Sequence, residues 1–140
     1  MRNLIIMFCI VGLQLMYCSC KKNNSSEDAV RSIVGKWKLS EVYSDPGDGS
    51  GKFTKVNGGK ILEFTSEGEV SSNSSLCSMI SNGLLHEESS YIISESSGNR
   101  NKLIIDKCGY ELNYELKGNQ LTIYYPCIEG CGERFVRVGN

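Results

Sequence analysis

The chain has 140 residues, of which 15 are basic and 16 acidic, and 40% are hydrophobic. This length predicts one domain of ordinary size, and the near-balanced charge without a basic stripe excludes an electrostatic case for nucleic-acid binding. The first element is a short cationic start followed by an apolar run over residues 4–13. That run is too short to span a bilayer and has the length of a signal-peptide core.

The apolar run leads into a cysteine that follows a small residue, Ser19-Cys20, and Lys21 then opens a polar stretch. This arrangement resembles a bacterial lipobox, in which the cysteine is lipidated and becomes the new N-terminus. The resemblance implies a lipoprotein signal peptide over residues 1–19, lipidation at Cys20 and attachment to the cell envelope, on the periplasmic or surface face of an outer membrane. Lipidation at Cys18 is the first alternative. A plain secretory peptide or a buried helix is the second.

Residues 20–31 are polar and carry both charge signs, which predicts a flexible tether. From residue 32 to residue 140, short stretches alternate apolar and polar residues between turn signals, and long helical periodicity is absent. We predict one all-β domain with strands over residues 34–43, 60–65, 69–73, 91–94, 102–107, 110–116, 121–125 and 133–138. Eight strands with mostly short connections are typical of an antiparallel up-and-down barrel.

The first strand opens with Gly35-Lys36-Trp37, and residues 64–70 form a hairpin with a Gly in its turn. The Gly-x-Trp sequence resembles the lipocalin signature, and the hairpin is similar to one found in lipocalin-like bacterial lipoproteins. The resemblance implies a lipocalin-like barrel whose closed end holds Gly35 and Trp37, with a basic residue of the last strand, here Arg137, over the Trp ring. The first and last strands of a closed barrel are neighbours, so this cation–π contact is geometrically possible.

In an up-and-down barrel, alternate connections lie at the same end. Four of them share one end, and they contain every cysteine of the domain: 44–59, 74–90, 108–109 and 126–132. Exported cysteines tend to form disulfides. Cys127 and Cys131 enclose three residues with Gly last, which favours a local pair and leaves Cys77 with Cys108, although all three connectivities remain formally open. A metal site of four thiolates is the alternative, but the spacing departs from paired C-x-x-C knuckles, so we expect no metal or cofactor.

The strand directions place four tyrosines at this same end, namely Tyr43, Tyr91, Tyr110 and Tyr125. If their side chains point inward, they ring the barrel mouth with apolar bodies and hydroxyl tips. Such a ring is what a site for a small apolar or amphipathic ligand requires. The alternative is that these tyrosines cap a filled core.

Two other constellations indicate no chemistry. The segment 45–51 contains Asp and Gly residues but lacks the ligand spacing of an EF-hand. His86 is the only histidine, and no nucleophile elbow accompanies it. The sequence therefore predicts a monomeric, non-enzymatic, lipid-anchored barrel that binds a small hydrophobic ligand at its open end. The alternative is a barrel with a filled core whose disulfide-linked loops contact an envelope protein or glycan.

Overall fold

The computed structural model describes residues 32–79, 85–94 and 101–139 of the chain. The predicted signal peptide, the lipidation site Cys20 and the tether lie outside the described residues. No helix in the described part of the chain combines the length and the hydropathy needed to cross a membrane.

The described residues form nine strands and one short 3-10 helix. The strands are β1 (Gly35–Ser44), β2 (Lys52–Lys55), β3 (Ile61–Phe64), β4 (Glu69–Ser72), β5 (Glu87–Ser94), β6 (Asn101–Ile105), β7 (Glu111–Lys117), β8 (Gln120–Tyr125) and β9 (Cys131–Arg137). The 3-10 helix, Asp106–Cys108, follows β6 directly and ends at Gly109, whose φ of 69° is the left-handed conformation that glycine adopts most easily.

The strands form one antiparallel sheet that closes on itself. From β3 to β9 each strand pairs with the next, and β9 returns to pair with β1. Strands β2 and β3 both pair with the other edge of β1, β3 with its first half and β2 with its second half. They therefore act as one interrupted strand, and the barrel has eight strand positions. The predicted eight-stranded, antiparallel, up-and-down closed barrel is confirmed.

The two largest differences from the predicted strands concern β2 and β5. Strand β2 lies inside the predicted loop 44–59, because a four-residue strand with only one aromatic residue shows too little alternation to be recognised. Strand β5 begins at Glu87 rather than at residue 91. Its first half has the sequence Glu-Glu-Ser-Ser, and pairing with β4 rather than hydrophobicity holds it in the sheet.

A β-bulge at Ser40 changes the phase of β1. Opposite β9, Leu39 pairs with Phe135 and Glu41 pairs with Arg134, so Ser40 is the extra residue. Its hydroxyl donates to Arg134 O at 2.9 Å. Because directly paired residues share a face of the sheet, the bulge puts Leu39 inside the barrel and Tyr43, opposite Gly132, outside.

The barrel interior is filled by apolar side chains that are at most 8% exposed: Ile33, Trp37, Leu39, Leu62, Phe64, Val70, Leu76, Leu103, Ile105, Leu112, Tyr114, Leu121, Ile123, Tyr125 and Phe135. We call the end where β1 begins the Trp37 end. The opposite end, at which β1 finishes, carries the cysteines and is called the stapled end. The features described below are located relative to these two ends.

Candidate functional site

All four cysteines of the domain lie at the stapled end, as predicted. Cys77 forms a disulfide with Cys108, and their Cα atoms are 5.2 Å apart. Cys127 forms a disulfide with Cys131, with Cα atoms 6.2 Å apart. The first bond ties the β4–β5 connection to the β6–β7 connection, whereas the second closes the β8–β9 hairpin. The predicted pairing is confirmed.

Residues 73–79 cross the opening at the stapled end. Leu76 enters the core and is 2% exposed, and its amide donates to Glu87 Oε2 at 2.8 Å. The phenol of Tyr110 donates to Cys77 O. The Cys77 disulfide joins the same segment to Cys108 in the neighbouring β6–β7 connection of the rim. We call residues 73–79 the plug, because they occupy the mouth that an internal ligand would have to enter.

A buried polar cluster lies beneath the plug. Lys60 and Glu133 are both 0% exposed, and Lys60 Nζ is 2.7 Å from Glu133 Oε2. Lys60 Nζ also donates to Ser78 O of the plug at 2.9 Å. Tyr125 donates its phenolic hydrogen to Glu133 Oε2 at 2.8 Å. The cluster thus joins the residue before β3, together with β8 and β9, to the plug.

The environment of this cluster changes its acid–base properties. Burial lowers the pKa of Lys60, and the charge of Glu133 opposes that shift. The pKa of Tyr125 is raised well above 10, first by burial and then by the neighbouring negative charge of Glu133. Within the described residues, the second carboxylate oxygen, Glu133 Oε1, is buried without a hydrogen-bond partner. The cluster is therefore closed to solvent and acts as an internal clamp.

The sequence analysis missed this cluster, although a signal for it was present. Glu133 is two residues before Phe135, and Lys60 is two residues before Leu62. Since side chains two residues apart in a strand lie on the same face, alternation alone puts both charges inside the barrel. Two opposite charges at inward positions predict a buried ion pair, because a buried charge needs a partner.

The Trp37 end is closed by the start of the chain. The Arg137 guanidinium lies 4.2 Å from the centre of the Trp37 ring, and these two residues are directly paired between β1 and β9. Arg137 also donates to Val34 O at 2.7 Å and to Ser32 O at 2.6 Å. A side chain at Gly35 would place its Cβ 2.5 Å from Arg137 Nη1, which explains the glycine before the Trp. The contact predicted between Arg137 and Trp37 is present.

The predicted ring of four tyrosines is not formed. The Ser40 bulge turns Tyr43 to the outer face, and Tyr91 donates its hydroxyl to Thr65 O near the Trp37 end, because β5 begins earlier than predicted. Tyr110 and Tyr125 do lie at the stapled end. Tyr110 is held by the plug, and Tyr125 belongs to the buried cluster. The prediction that all four tyrosines line the mouth was wrong.

The structure instead shows an aromatic groove on the outer wall near the stapled end. We call it the Tyr124 groove; its volume is about 460 Å³, and its lining consists of Tyr43, Phe53, Asn113, Tyr124, Tyr125, Gly130 and Cys131. A row of directly paired residues crosses five strands at this level: Phe53, Tyr43, Gly132, Tyr124 and Asn113. Outward-facing aromatic residues therefore stand on both sides of a glycine.

The shape of the groove depends on small residues. A Cβ atom at Gly132 would lie 3.2 Å from the Tyr124 ring and 2.9 Å from Ile123 O, so a larger residue would disturb this wall. The rings of Tyr43 and Phe53 are 5.2 Å apart between centroids. Asp45 N donates to Gly130 O at 3.0 Å and joins the stapled hairpin to the end of β1. The disulfide Cys127–Cys131 and this hydrogen bond hold the edge of the groove.

The remaining sequence candidates are structural or exposed. Asp45 Oδ1 accepts hydrogen bonds from Gly47 N and Gly49 N at 2.9 and 3.2 Å, and these backbone donors lower the pKa of Asp45. The side chain of His86 is 72% exposed and pairs with Glu88 at 2.9 Å. Among the residues that the structure describes, no group of three or more His, Cys, Asp or Glu side chains is arranged to hold a metal ion.

Comparison of the chain with protein-family models, with curated proteins and with solved structures gives no match.

Proposed function

We propose that this chain is a lipid-anchored envelope lipoprotein of lipocalin-like architecture that binds a small amphipathic ligand, without catalysing a reaction. The ligand occupies the Tyr124 groove on the outer wall rather than the barrel interior. The observation that carries this proposal is an aromatic groove of about 460 Å³ held by a disulfide-closed hairpin. Small-molecule sites have volumes of about 300–1,000 Å³ and are lined by aromatic side chains with a few polar groups.

The position of the site supports an outer-wall ligand. At the stapled end the plug and the Lys60–Glu133 pair occupy the mouth, and at the Trp37 end Arg137 and residues 32–34 occupy the bottom. The apolar side chains between them fill the centre. An internal ligand would have to displace buried, hydrogen-bonded groups, whereas a ligand in the Tyr124 groove would displace water.

The sequence of the first 31 residues supports the anchor, and the direction of β1 supports the orientation of the barrel relative to it. The apolar run, the Ser19-Cys20 pair and the polar tether have the order of a lipoprotein N-terminus. Residue 32 lies at the Trp37 end, and the Tyr124 groove lies near the opposite end. A lipid on Cys20 would thus hold the barrel with its groove directed away from the membrane surface.

Native mass spectrometry of the protein extracted from its own membranes tests the ligand. We expect a retained small molecule in the wild type and its loss in Tyr124→Leu, whereas Val136→Ala, on the outer face of β9 beyond the groove, retains it. A molecule that is retained equally by Tyr124→Leu contradicts the site.

Replacement of Cys20 tests the anchor. We expect Cys20→Ser to release the protein from the membrane fraction and to remove the mass of the lipid. Cys18→Ser is the matched control and should stay in the membrane fraction. The opposite result would move the anchor to Cys18, and membrane association of the double variant would contradict lipidation at either cysteine.

A second candidate function is contact with another envelope protein through the stapled hairpin. Ile128 lies between Cys127 and Cys131 and is 99% exposed, which is the largest exposure among the exposed large hydrophobic residues described. A photo-crosslinking residue at position 128 in intact cells tests this contact. A discrete adduct that disappears when Cys127 and Cys131 are both replaced by Ser supports it, and a chain without any adduct contradicts it.

A further inference from the structure

We propose that the ligand of the Tyr124 groove is a neutral saccharide, bound as a mono- or disaccharide unit. This inference rests on the proposed function and adds the chemical class of the ligand. Four features of the groove support a saccharide: its aromatic surfaces, its uncharged polar groups, the pairing of the adjacent Arg134 guanidinium and the paired backbone edges of β1 and β8.

The aromatic surfaces suit a flat apolar face. Tyr43 and Tyr124 occupy the same outward row on either side of Gly132, and Gly132 contributes no side chain between them. A sugar ring has one face made of C–H groups that packs against an aromatic ring, while its hydroxyl groups point outward from the ring edge. Aromatic rings offer such a partner a large rigid area, and the tyrosine hydroxyl stays in contact with water.

The polar groups of the groove are uncharged. Asn113 lies next to Tyr124 in the row and brings an amide, which both donates and accepts hydrogen bonds. The Tyr43 hydroxyl lies 3.5 Å from Asp45 Oδ2 as a donor, and its oxygen can still accept. Vicinal sugar hydroxyls likewise donate and accept, so they match amide and phenol groups better than an aliphatic ligand does.

The guanidinium beside the groove is already paired, which argues against an anionic ligand. None of the residues that line the groove carries a full charge. Beside it, Arg134 forms an ion pair with Glu41, and its guanidinium lies over Phe53 at 3.4 Å from the ring centre. A carboxylate or phosphate ligand would lose hydration there without gaining an unpaired cation, and the Asp45 carboxylate, whose Oδ2 lies 3.5 Å from the Tyr43 hydroxyl, would repel it.

The backbone of this wall argues against a peptide strand. At the groove, β1 is paired on both edges, with β2 and with β9, and β8 is paired on both edges, with β7 and β9. Strand β2 pairs only with β1 among the described strands, but its unpaired edge faces away from Gly132 and Tyr124. An extended peptide recognised by strand addition needs an unpaired edge. The groove is also too polar and too exposed for an acyl chain, which gains most when it is fully enclosed. A saccharide satisfies all of these constraints.

Backbone amide NMR of the full mature protein in lipid nanodiscs tests the inference. The probes are maltose and cellobiose as neutral disaccharides, cyclohexanol as an amphipathic ring with a single hydroxyl, and acetyl-trialanine amide as a neutral peptide. We expect a disaccharide to shift the amides of Gly130, Gly132 and Asn113. Tyr124→Leu should weaken that binding on the order of tenfold or more, as expected when a stacking contact is lost. Val136→Ala should bind as the wild type does.

Each outcome decides between specific claims. Tyr124→Phe keeps the ring and is expected to retain most of the binding, and it guards against misreading a folding defect in Tyr124→Leu. If cyclohexanol or the peptide shifts the groove and neither disaccharide does, the saccharide assignment is overturned while the proposed function stands. If no probe shifts the groove and the extracted protein carries no small molecule, both are overturned. Disaccharide binding that Tyr124→Leu leaves unchanged overturns the placement of the site.

Discussion

Lys60 and Glu133 form an ion pair inside the barrel, with 2.7 Å between Nζ and Oε2 and no exposure of either side chain. The pair connects the residue just before β3 to β9, and it reaches the plug through Ser78 O. A buried ion pair is costly to break, because the remaining partner loses its compensation while it stays out of water. The pair therefore determines how the stapled end is closed.

We expect Lys60→Met to lower the free energy of unfolding by about 3–5 kcal/mol, because it leaves the Glu133 carboxylate buried and unpaired. The double variant Lys60→Met/Glu133→Leu removes both charges and should recover most of this loss, since apolar replacements of buried pairs are often neutral. Urea unfolding followed by circular dichroism measures both variants. A double variant that is as unstable as Lys60→Met would contradict this account of the pair.

The plug should respond to acid through Glu87. The hydrogen bond from Leu76 N is the main cause that lowers the pKa of Glu87 below its ordinary value of 4.5, and Lys107 at 3.3 Å adds to the effect. A carboxyl with a lowered folded-state pKa stabilises the structure above its unfolded pKa, and this contribution disappears as the pH falls through the folded pKa. Acid should therefore loosen the plug.

Hydrogen exchange of the Leu76 amide measures this effect. Between about pH 7 and about pH 3, its protection factor should fall in the wild type. It should change little in Glu87→Gln, whose amide oxygen still accepts the hydrogen bond but carries no titrating group. A wild-type protection factor that is independent of pH would exclude Glu87 as the controlling group.

Arg137 should be important for stability rather than for binding. Its guanidinium lies over Trp37 and donates to two backbone carbonyl groups of residues 32 and 34. We expect Arg137→Ala to lower the free energy of unfolding by about 2–4 kcal/mol, because it removes a partly desolvated cation–π contact and two charged hydrogen bonds. Arg137→Lys should lower the free energy of unfolding by less than Arg137→Ala, because an ammonium group keeps the charge. Some loss should remain, because an ammonium group cannot bind both carbonyl groups in the same geometry. Trp37 fluorescence during urea unfolding measures both, and equal losses would contradict the geometric argument.

The two disulfides should differ in their contribution to stability. Cys77 and Cys108 are 31 residues apart in sequence, whereas Cys127 and Cys131 are 4 apart. Loop-closure entropy gives about 4 kcal/mol for the first and about 2 kcal/mol for the second. Thermal unfolding of the two Cys→Ser double variants tests this order. The Cys127→Ser/Cys131→Ser variant should also weaken ligand binding, because it frees the edge of the Tyr124 groove.

Much of the architecture follows from local signals. Alternation and turn glycines predict the barrel, and strand direction brings the four cysteines to one end, so their pairing could be predicted from spacing. The positive φ of Gly68, 86°, agrees with the predicted hairpin over residues 64–70. These features depend on residues close together in sequence or on the topology alone.

The candidate site could not be predicted in the same way. The face of Tyr43 depends on one extra residue at position 40, and a bulge depends on the register with β9, which the sequence of β1 does not show. Phe53 belongs to a strand that exists because β1 offers it an edge. The plug has no alternation at all, and tertiary contacts of Leu76 and Cys77 determine its position.

The Ser40 bulge divides β1 into two halves whose aromatic side chains lie on different faces of the sheet. Its first half supplies the core through Trp37 and Leu39, whereas its second half shows Tyr43 to the solvent. If Ser40 were instead paired regularly with β9, strict alternation along β1 would turn Tyr43 into the lumen and Val42 outward. The outward position of Tyr43, and with it the Tyr124 groove, thus depends on a single irregularity in the pairing of β1 with β9.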